Sequence, residues 1–301
     1  MTRFLIALSL LIAQDTLQVK VSLVTVPVQV TDSRGRDVPG LKVEDFALYD
    51  DGRQQKIEFF SEAPQPITLG ILLDRSVSMK YNDKISRAKE AALVLARAPL
   101  EGSEFFYIEF DDGVKVALDF TSDRRRMESA IRDTKLGGGT SLYDAVIKAI
   151  ELSRKAQLSQ QVLVIISDGT DQHSLRRLAD ALKVVRESKV QVYTIGYFSG
   201  TEEEMFRKAG SRIELIDGTI VDNPRFVLQK IAQESGAASF FPRSDRELVK
   251  AVEEITHDVR TQYTLAFYPQ SSEAEKYHEL RVTVRSGRYN VRARPGYSPG
   301  S

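Results

Sequence analysis

Four short apolar runs, Thr68 to Leu73, Phe105 to Phe110, Val162 to Ile166 and Val190 to Ile195, constrain this chain more than any other feature. Each has strand length and is apolar almost throughout, the pattern of strands covered on both faces in a parallel sheet. Between them the period turns helical. Leu142, Ala145, Val146, Ala149 and Ile150 fall at i, i+3, i+4, i+7 and i+8 and mark one apolar helix face. Further helices are expected over Lys84 to Arg97, Ser174 to Ser188, Arg225 to Glu234 and Asp245 to Val259. Asp112-Gly113, between Phe110 and Val114, signals one antiparallel hairpin at the sheet edge. The alternation predicts an α/β fold: a doubly wound, mostly parallel sheet flanked by helices, Rossmann-like in layout.

Outside Pro66 to Arg260 the period drops to two. Val24, Val26, Val28 and Val30 alternate with Thr25, Pro27, Gln29 and Thr31, and Pro27 assigns that strand to a sheet edge or a bulge. Phe46 to Tyr49, the turn Asp50-Asp51-Gly52 and Ile57 to Phe60 read as a hairpin. At the far end Tyr263, Leu265 and Phe267, then Leu280, Val282 and Val284, then Tyr289, Val291 and Ala293 alternate in the same way. Each end offers about three strands, whereas a β-sandwich takes roughly seven. The two ends are therefore expected to pair into one discontinuous, all-β, immunoglobulin-like sandwich into which the α/β domain is inserted. The expected division is a signal peptide over 1–14, β domain over 15–65 and 261–301, and α/β domain over 66–260. A length of 301 residues allows two domains at roughly 150 each.

Composition narrows the function. Lys plus Arg and Asp plus Glu each number 42, so no net field draws the chain to nucleic acid. Cysteine is absent, which excludes disulfides, thiolate metal sites, thiol nucleophiles and a lipid-modified lipoprotein. Any metal chemistry must use oxygen or imidazole. The three histidines, His173, His257 and His278, lie too far apart in sequence for an HxxxH-type ligand pair. Arg3 followed by the apolar run Phe4 to Ala13 has the form of a secretory signal, which directs the protein to a periplasm or beyond. No other run is long enough to span a membrane.

In an open parallel sheet, ligands bind beyond the carboxyl ends of the strands. Asp74-Arg75-Ser76-Val77-Ser78 follows the first run, Ser167-Asp168-Gly169 follows the third, and Gly137-Gly138-Gly139-Thr140-Ser141 opens the amphipathic helix. Carboxylate and hydroxyl oxygens are hard ligands suited to Mg²⁺, Ca²⁺ or Mn²⁺. The alternation in DxSxS lets Asp74, Ser76 and Ser78 reach one point from a tight loop. With so many neutral donors, an ion there stays under-neutralised and favours an anionic ligand in an open position.

Asp74-x-Ser76-x-Ser78, Thr140 and Asp168-Gly169, in that order, resemble the metal-ion-dependent adhesion site of von Willebrand factor A-type domains. The resemblance covers residues 66 to about 260. The flanks, including Val38 to Tyr49, Gln262-Tyr263 to Pro269 and Pro295-Gly296-Tyr297, are similar to a bacterial group of exported proteins related to that family. It implies that Ser76 and Ser78 bind the cation directly, that Asp74 and Asp168 bind directly or through water, and that Thr140 exchanges with the state of the site. It also implies a protein partner that supplies an acidic side chain. Arg75 and Val77 depart from the common pattern.

The plainer alternatives are that Asp74, Ser76 and Ser78 shape a strand-to-helix turn and that Thr140 is an N-cap. His173 reads as a loop residue where Asp171 or Ser174 caps the next helix, and Asp111 and Asp112 as hairpin-turn residues. Arg124-Arg125-Arg126 reads as a solvated helix face. Thr201 to Asp222 breaks the α/β rhythm and reads as a loop over the binding edge. The leading function is a non-enzymatic, cation-dependent protein-binding module. A Mg²⁺-dependent phosphohydrolase with Asp74 as nucleophile lacks the second carboxylate two residues on, where Ser76 stands, and no GxSxG, GxxxxGKS or GxGxxG motif is present. A third possibility is an assembly component whose metal site only tunes its contacts.

Overall fold

The computed structural model describes residues 23–214, 218–269, 277–285 and 287–298. The expected signal peptide lies outside the described residues. The central sheet has six strands in the order β12-β9-β8-β5-β6-β7. They are β5 (Ile67–Asp74), β6 (Glu104–Phe110), β7 (Val114–Thr121), β8 (Gln160–Ser167), β9 (Gln191–Gly196) and β12 (Ser239–Phe240). All neighbours are parallel except β6 and β7, which form the hairpin signalled by Asp112-Gly113. Every residue of β5 and β8 is buried, which is why those runs are apolar without alternation.

The two faces of the sheet take alternate residues of each strand. Ile71, Leu73, Val164 and Ile166 meet α1 (Lys84–Arg97), α2 (Arg124–Asp133) and α7 (Asp245–Thr261) on one side. Leu72, Ile108, Leu163 and Ile165 meet α3 (Leu142–Ser153), α4 (Leu178–Glu187) and α6 (Pro224–Ser235) on the other. The chain leaves β5 for β6 on one side and later returns to β8 on the other, so the winding reverses at β5 and opens a crevice at its carboxyl end.

Two sequence expectations change within this half. The helix expected from Ser174 begins only at Leu178, because residues 171–176 are engaged elsewhere. The segment Thr201 to Asp222 is structured: it carries α5 (Gly200–Lys208), opened by a capping box of Ser199 and Glu202, and a hairpin of β10 (Arg212–Glu214) and β11 (Ile220–Asp222). Glu203 on α5 is buried and accepts from Arg225 Nη1 with both oxygens, at 2.6 and 2.8 Å. Arg225 lies over Phe241, which stacks in turn on Phe198.

The remaining strands are β1 (Val24–Thr31), β2 (Phe46–Asp50), β3 (Arg53–Gln55), β4 (Phe59–Ser61), β13 (Tyr263–Phe267), β14 (His278–Val284), β15 (Asn290–Ala293) and β16 (Gly296–Tyr297). They form two four-stranded antiparallel sheets, β15-β1-β13-β4 and β16-β14-β2-β3, each mixing strands from both ends of the chain. Val26, Val28, Leu48, Leu265, Phe267 and Val282 share one apolar cluster between them. β1 is flanked on both sides, but Pro27 falls where only β13 pairs with it, and β15 joins from Val28 onward. The missing N–H therefore costs no ladder bond. The hairpin partner of β2 is β3, across a turn in which Asp51 and Gly52 both have positive φ, 47° and 78°. Ile57 to Phe60 does not pair there, because β4 crosses to the other sheet and pairs with β13.

Candidate functional site

Asp74 is the last residue of β5 and is fully buried. Its Oδ1 accepts from the backbone N of Ser76 at 2.9 Å and its Oδ2 from the hydroxyl of Ser167, at the end of β8, at 2.6 Å. The Asx-type turn brings Ser76 Oγ and Ser78 Oγ to 3.0 Å from each other. Two backbone bonds then join this loop to the glycine loop, Val77 N to Gly138 O at 2.8 Å and Gly137 N to Arg75 O at 2.7 Å. Thr140, buried, follows directly. Its carbonyl accepts from Gln172 N and His173 N, which ties in the loop after β8. The segments carrying Asp74, Ser76, Ser78, Thr140 and Asp168 are thus laced together at one edge of the sheet.

Side chains from neighbouring loops press on these glycines. A Cβ on Gly137 would stand 2.0 Å from Asp111 Oδ2, one on Gly138 1.9 Å from Asp112 Oδ2, and one on Gly139 2.1 Å from the His173 ring. Asp111 and Asp112 therefore do more than turn the hairpin. Arg75 turns to Asp111 at 2.5 Å, which takes up the charge that departs from the family pattern. Asp171 and Ser174 cap α3 rather than the next helix, accepting from Tyr143 N and Asp144 N at 3.1 Å each. Asp144 returns bonds from Leu175 N and Arg176 N. Thr140 is not the N-cap of α3, since Ser141 occupies that position. Arg124 is not simply solvated: it donates to the carbonyls of Ala98 and Leu100 and lies over Phe105.

Burial pushes the Asp74 carboxyl up to about 7, and the nearby charge of Asp168 adds to the effect. Asp168 Oδ1 accepts from Thr170 Oγ1 at 2.7 Å, and its Oδ2 lies 3.3 Å from Lys84 Nζ. Lys84 is buried at the first residue of α1 and also lies 3.5 Å from Glu202 of α5. Sequence reading passed over Lys84, although a cation at a helix N-terminus opposes the dipole and so calls for an acidic partner.

The donors fit a hard divalent cation. A hydroxyl separation of 3.0 Å is the spacing of adjacent oxygens around a six-coordinate Mg²⁺ with bonds of about 2.1 Å. Ser78 is only half-buried and Val77 exposed, so the place faces outward.

A doubly wound sheet with hydroxyl and carboxylate oxygens gathered at its carboxyl edge defines a small class of α/β folds. Residues 69–170, which include all five candidate ligands, match the model of the von Willebrand factor type A domain, and the chain carries a domain of that kind. No curated protein sequence matches it. Solved structures with this fold are similar at low identity. A von Willebrand factor type A protein from Catenulispora acidiphila is 14% identical over 84% of this chain and 73% of its own, with a TM-score of 0.54. The vWF domain of the type V pili tip protein Mfa5 from Porphyromonas gingivalis is 12% identical over 65% and 95%, with a TM-score of 0.51. Proximal thread matrix protein 1 from the mussel byssus, with a zinc-occupied adhesion motif, is 15% identical over 70% and 49%, with a TM-score of 0.50.

Proposed function

We propose that this chain is a divalent-cation-dependent protein-binding module, exported by its N-terminal signal, that captures a partner through an acidic side chain. The observation that carries the reading is the pair of hydroxyls, Ser76 and Ser78, held 3.0 Å apart at the open edge of the sheet in front of the buried Asp74 and Asp168. Mg²⁺, or Ca²⁺ or Mn²⁺, bound there would supply a Lewis-acidic position for a carboxylate from outside. Ser76, Ser78 and Thr140 hold the ion, while Asp74 and Asp168 set the local charge that makes a cation favourable. Both oxygens of Asp74 already accept hydrogen bonds, which suits a charge-setting residue better than a nucleophile.

The surroundings suit a protein partner. Val77, Tyr81, Leu175, Met205 and Ile220 are exposed on segments that follow the carboxyl ends of β5, β8 and β9, and Leu175 is 93% exposed. Two structural neighbours, Mfa5 and the PilB minor pilin from Streptococcus sanguinis, are pilus proteins. Among the described residues no helix is long and apolar enough to cross a membrane. The strands before residue 66 and after residue 260 act as one β domain that carries the binding domain as an insertion, a reading supported by the pairing of β1 with β13 and of β2 with β14.

The test combines Mn²⁺ titration with partner capture from envelope extract. Wild type should bind Mn²⁺ and capture its partner in Mg²⁺ but not in chelator. The Ser76→Ala, Ser78→Ala double variant should lose both while keeping its melting temperature. Capture that survives chelator and the double variant would sink the proposal in favour of a cation-independent assembly contact.

A further inference from the structure

A second group of metal-ligating side chains lies in the β sheets, outside the residues that match the type A domain. Asp50 ends β2, Asp51 opens the turn to β3, and His278 begins β14. Each is held from behind. Tyr297 Oη donates to Asp50 Oδ2 at 3.1 Å, and its ring stacks on the His278 imidazole with centroids 5.1 Å apart. Glu279 N donates to Asp51 Oδ1 at 2.9 Å. The other two carboxylate oxygens turn to one atom: Asp50 Oδ1 is 3.3 Å and Asp51 Oδ2 3.2 Å from His278 Nδ1.

Asp50 Oδ1 is buried and makes no hydrogen bond, although it faces the imidazole. A buried carboxylate oxygen without a donor is costly, and one imidazole nitrogen carries at most one proton for two carboxylates. A metal ion satisfies all three atoms. Adjacent ligands around tetrahedral zinc, with bonds of about 2.0 Å, stand about 3.3 Å apart, which matches both observed separations. One imidazole with two carboxylates suits zinc rather than the all-oxygen preference of Mg²⁺ or Ca²⁺. Tyr297 and the Glu279 amide are outer partners of the kind that fix ligand orientation. The Asp51 side chain is 38% exposed, so water reaches the remaining position.

We propose that Asp50, Asp51 and His278 bind a divalent ion of the zinc class, separate from the sheet-edge site. The ion fastens the N-terminal β2–β3 hairpin to the C-terminal strand β14, a cross-link that a chain without cysteine cannot obtain from a disulfide. Cobalt(II) titration of the tag-free full chain tests it, because tetrahedral Co²⁺ absorbs visible light strongly and a six-coordinate oxygen site only weakly. Wild type and Asp74→Asn should both develop the strong absorption, and one equivalent of Zn²⁺ should abolish it. Asp51→Asn, which tolerates positive φ, should weaken Co²⁺ binding by more than the roughly 10- to 100-fold that loss of an outer partner costs, and His278→Gln should remove the absorption. Should His278→Gln fail to fold, Asp51→Asn alone decides the matter. No strong absorption in wild type, absorption unchanged in Asp51→Asn, or absorption lost in Asp74→Asn would overturn the proposal and leave His278 as an ion-pair partner of the two aspartates.

Discussion

Lys84 places a fixed ammonium where an incoming cation wants the field of Asp168. Its removal should favour the ion. Lys84→Met is expected to tighten Mn²⁺ binding about tenfold, roughly 1.4 kcal/mol, and calorimetric titration of both proteins measures it. Affinity that is unchanged or weaker would mean that Lys84 positions Asp168 rather than competing at it. The candidate ligands were legible because DxSxS, Thr140 and Asp168 sit at strand and helix ends that the apolar runs themselves locate. Lys84 was not, because its partner is 84 positions away and no local pattern joins them. The Asp50, Asp51 and His278 group was hidden for the same reason. Histidine spacing detects ligands on one helix, whereas these meet across a β ladder in which Leu280 pairs with Asp50.

Among the elements, α4 and α6 are joined by Arg186 Nε and Glu234 Oε2 at 2.8 Å, with Lys230 on the other oxygen at 2.8 Å. The hydrogen bond from Arg186 holds the Glu234 carboxyl below its usual value of 4.5. In the interval below 4.5 the unfolded chain binds more protons than the folded one, so stability there rises with pH. The contribution is complete above 4.5 and is lost as pH falls through the folded value. Glu234→Gln should therefore lower the melting temperature at neutral pH, and the gap from wild type should close on acidification below 4.5. Thermal melts of both proteins from pH 7 to pH 3 check this, and a gap that persists in acid would contradict it. The main strands and helices were readable because burial on two faces and on one face leave different periods. α5 was not readable by period, since Glu202, Glu203 and Glu204 make it polar, although the Ser199–Glu202 box marked its start. The hairpin from β2 was misread because Arg53–Gln55 lacks apolar alternation, while the better-patterned Phe59–Ser61 serves the other sheet.

For the whole molecule, the decisive arrangement is that each β sheet draws strands from both ends of the chain. Gln262 alone separates α7 from β13 and donates to Tyr193 Oη at 3.1 Å, while Arg292 of β15 pairs with Asp258 of α7. Ending the chain at Thr261 removes both ladder partners of β1 and the β14 partner of β2, leaving β2 only its short hairpin with β3, but removes none of the six central strands. Amide exchange should then show residues 24–31 and 46–50 unprotected and β5 and β8 still protected; loss of protection throughout would show that the sheets stand or fall together. The pairing also sets a timetable for synthesis. Val28 waits for Tyr263 to leave the ribosome, and at roughly 5–20 residues per second that is on the order of tens of seconds. Throughout that interval the valine-rich N-terminal ribbon has nothing to zip against, so a chaperone that shields it until the last strands emerge would spare the newborn chain from aggregation.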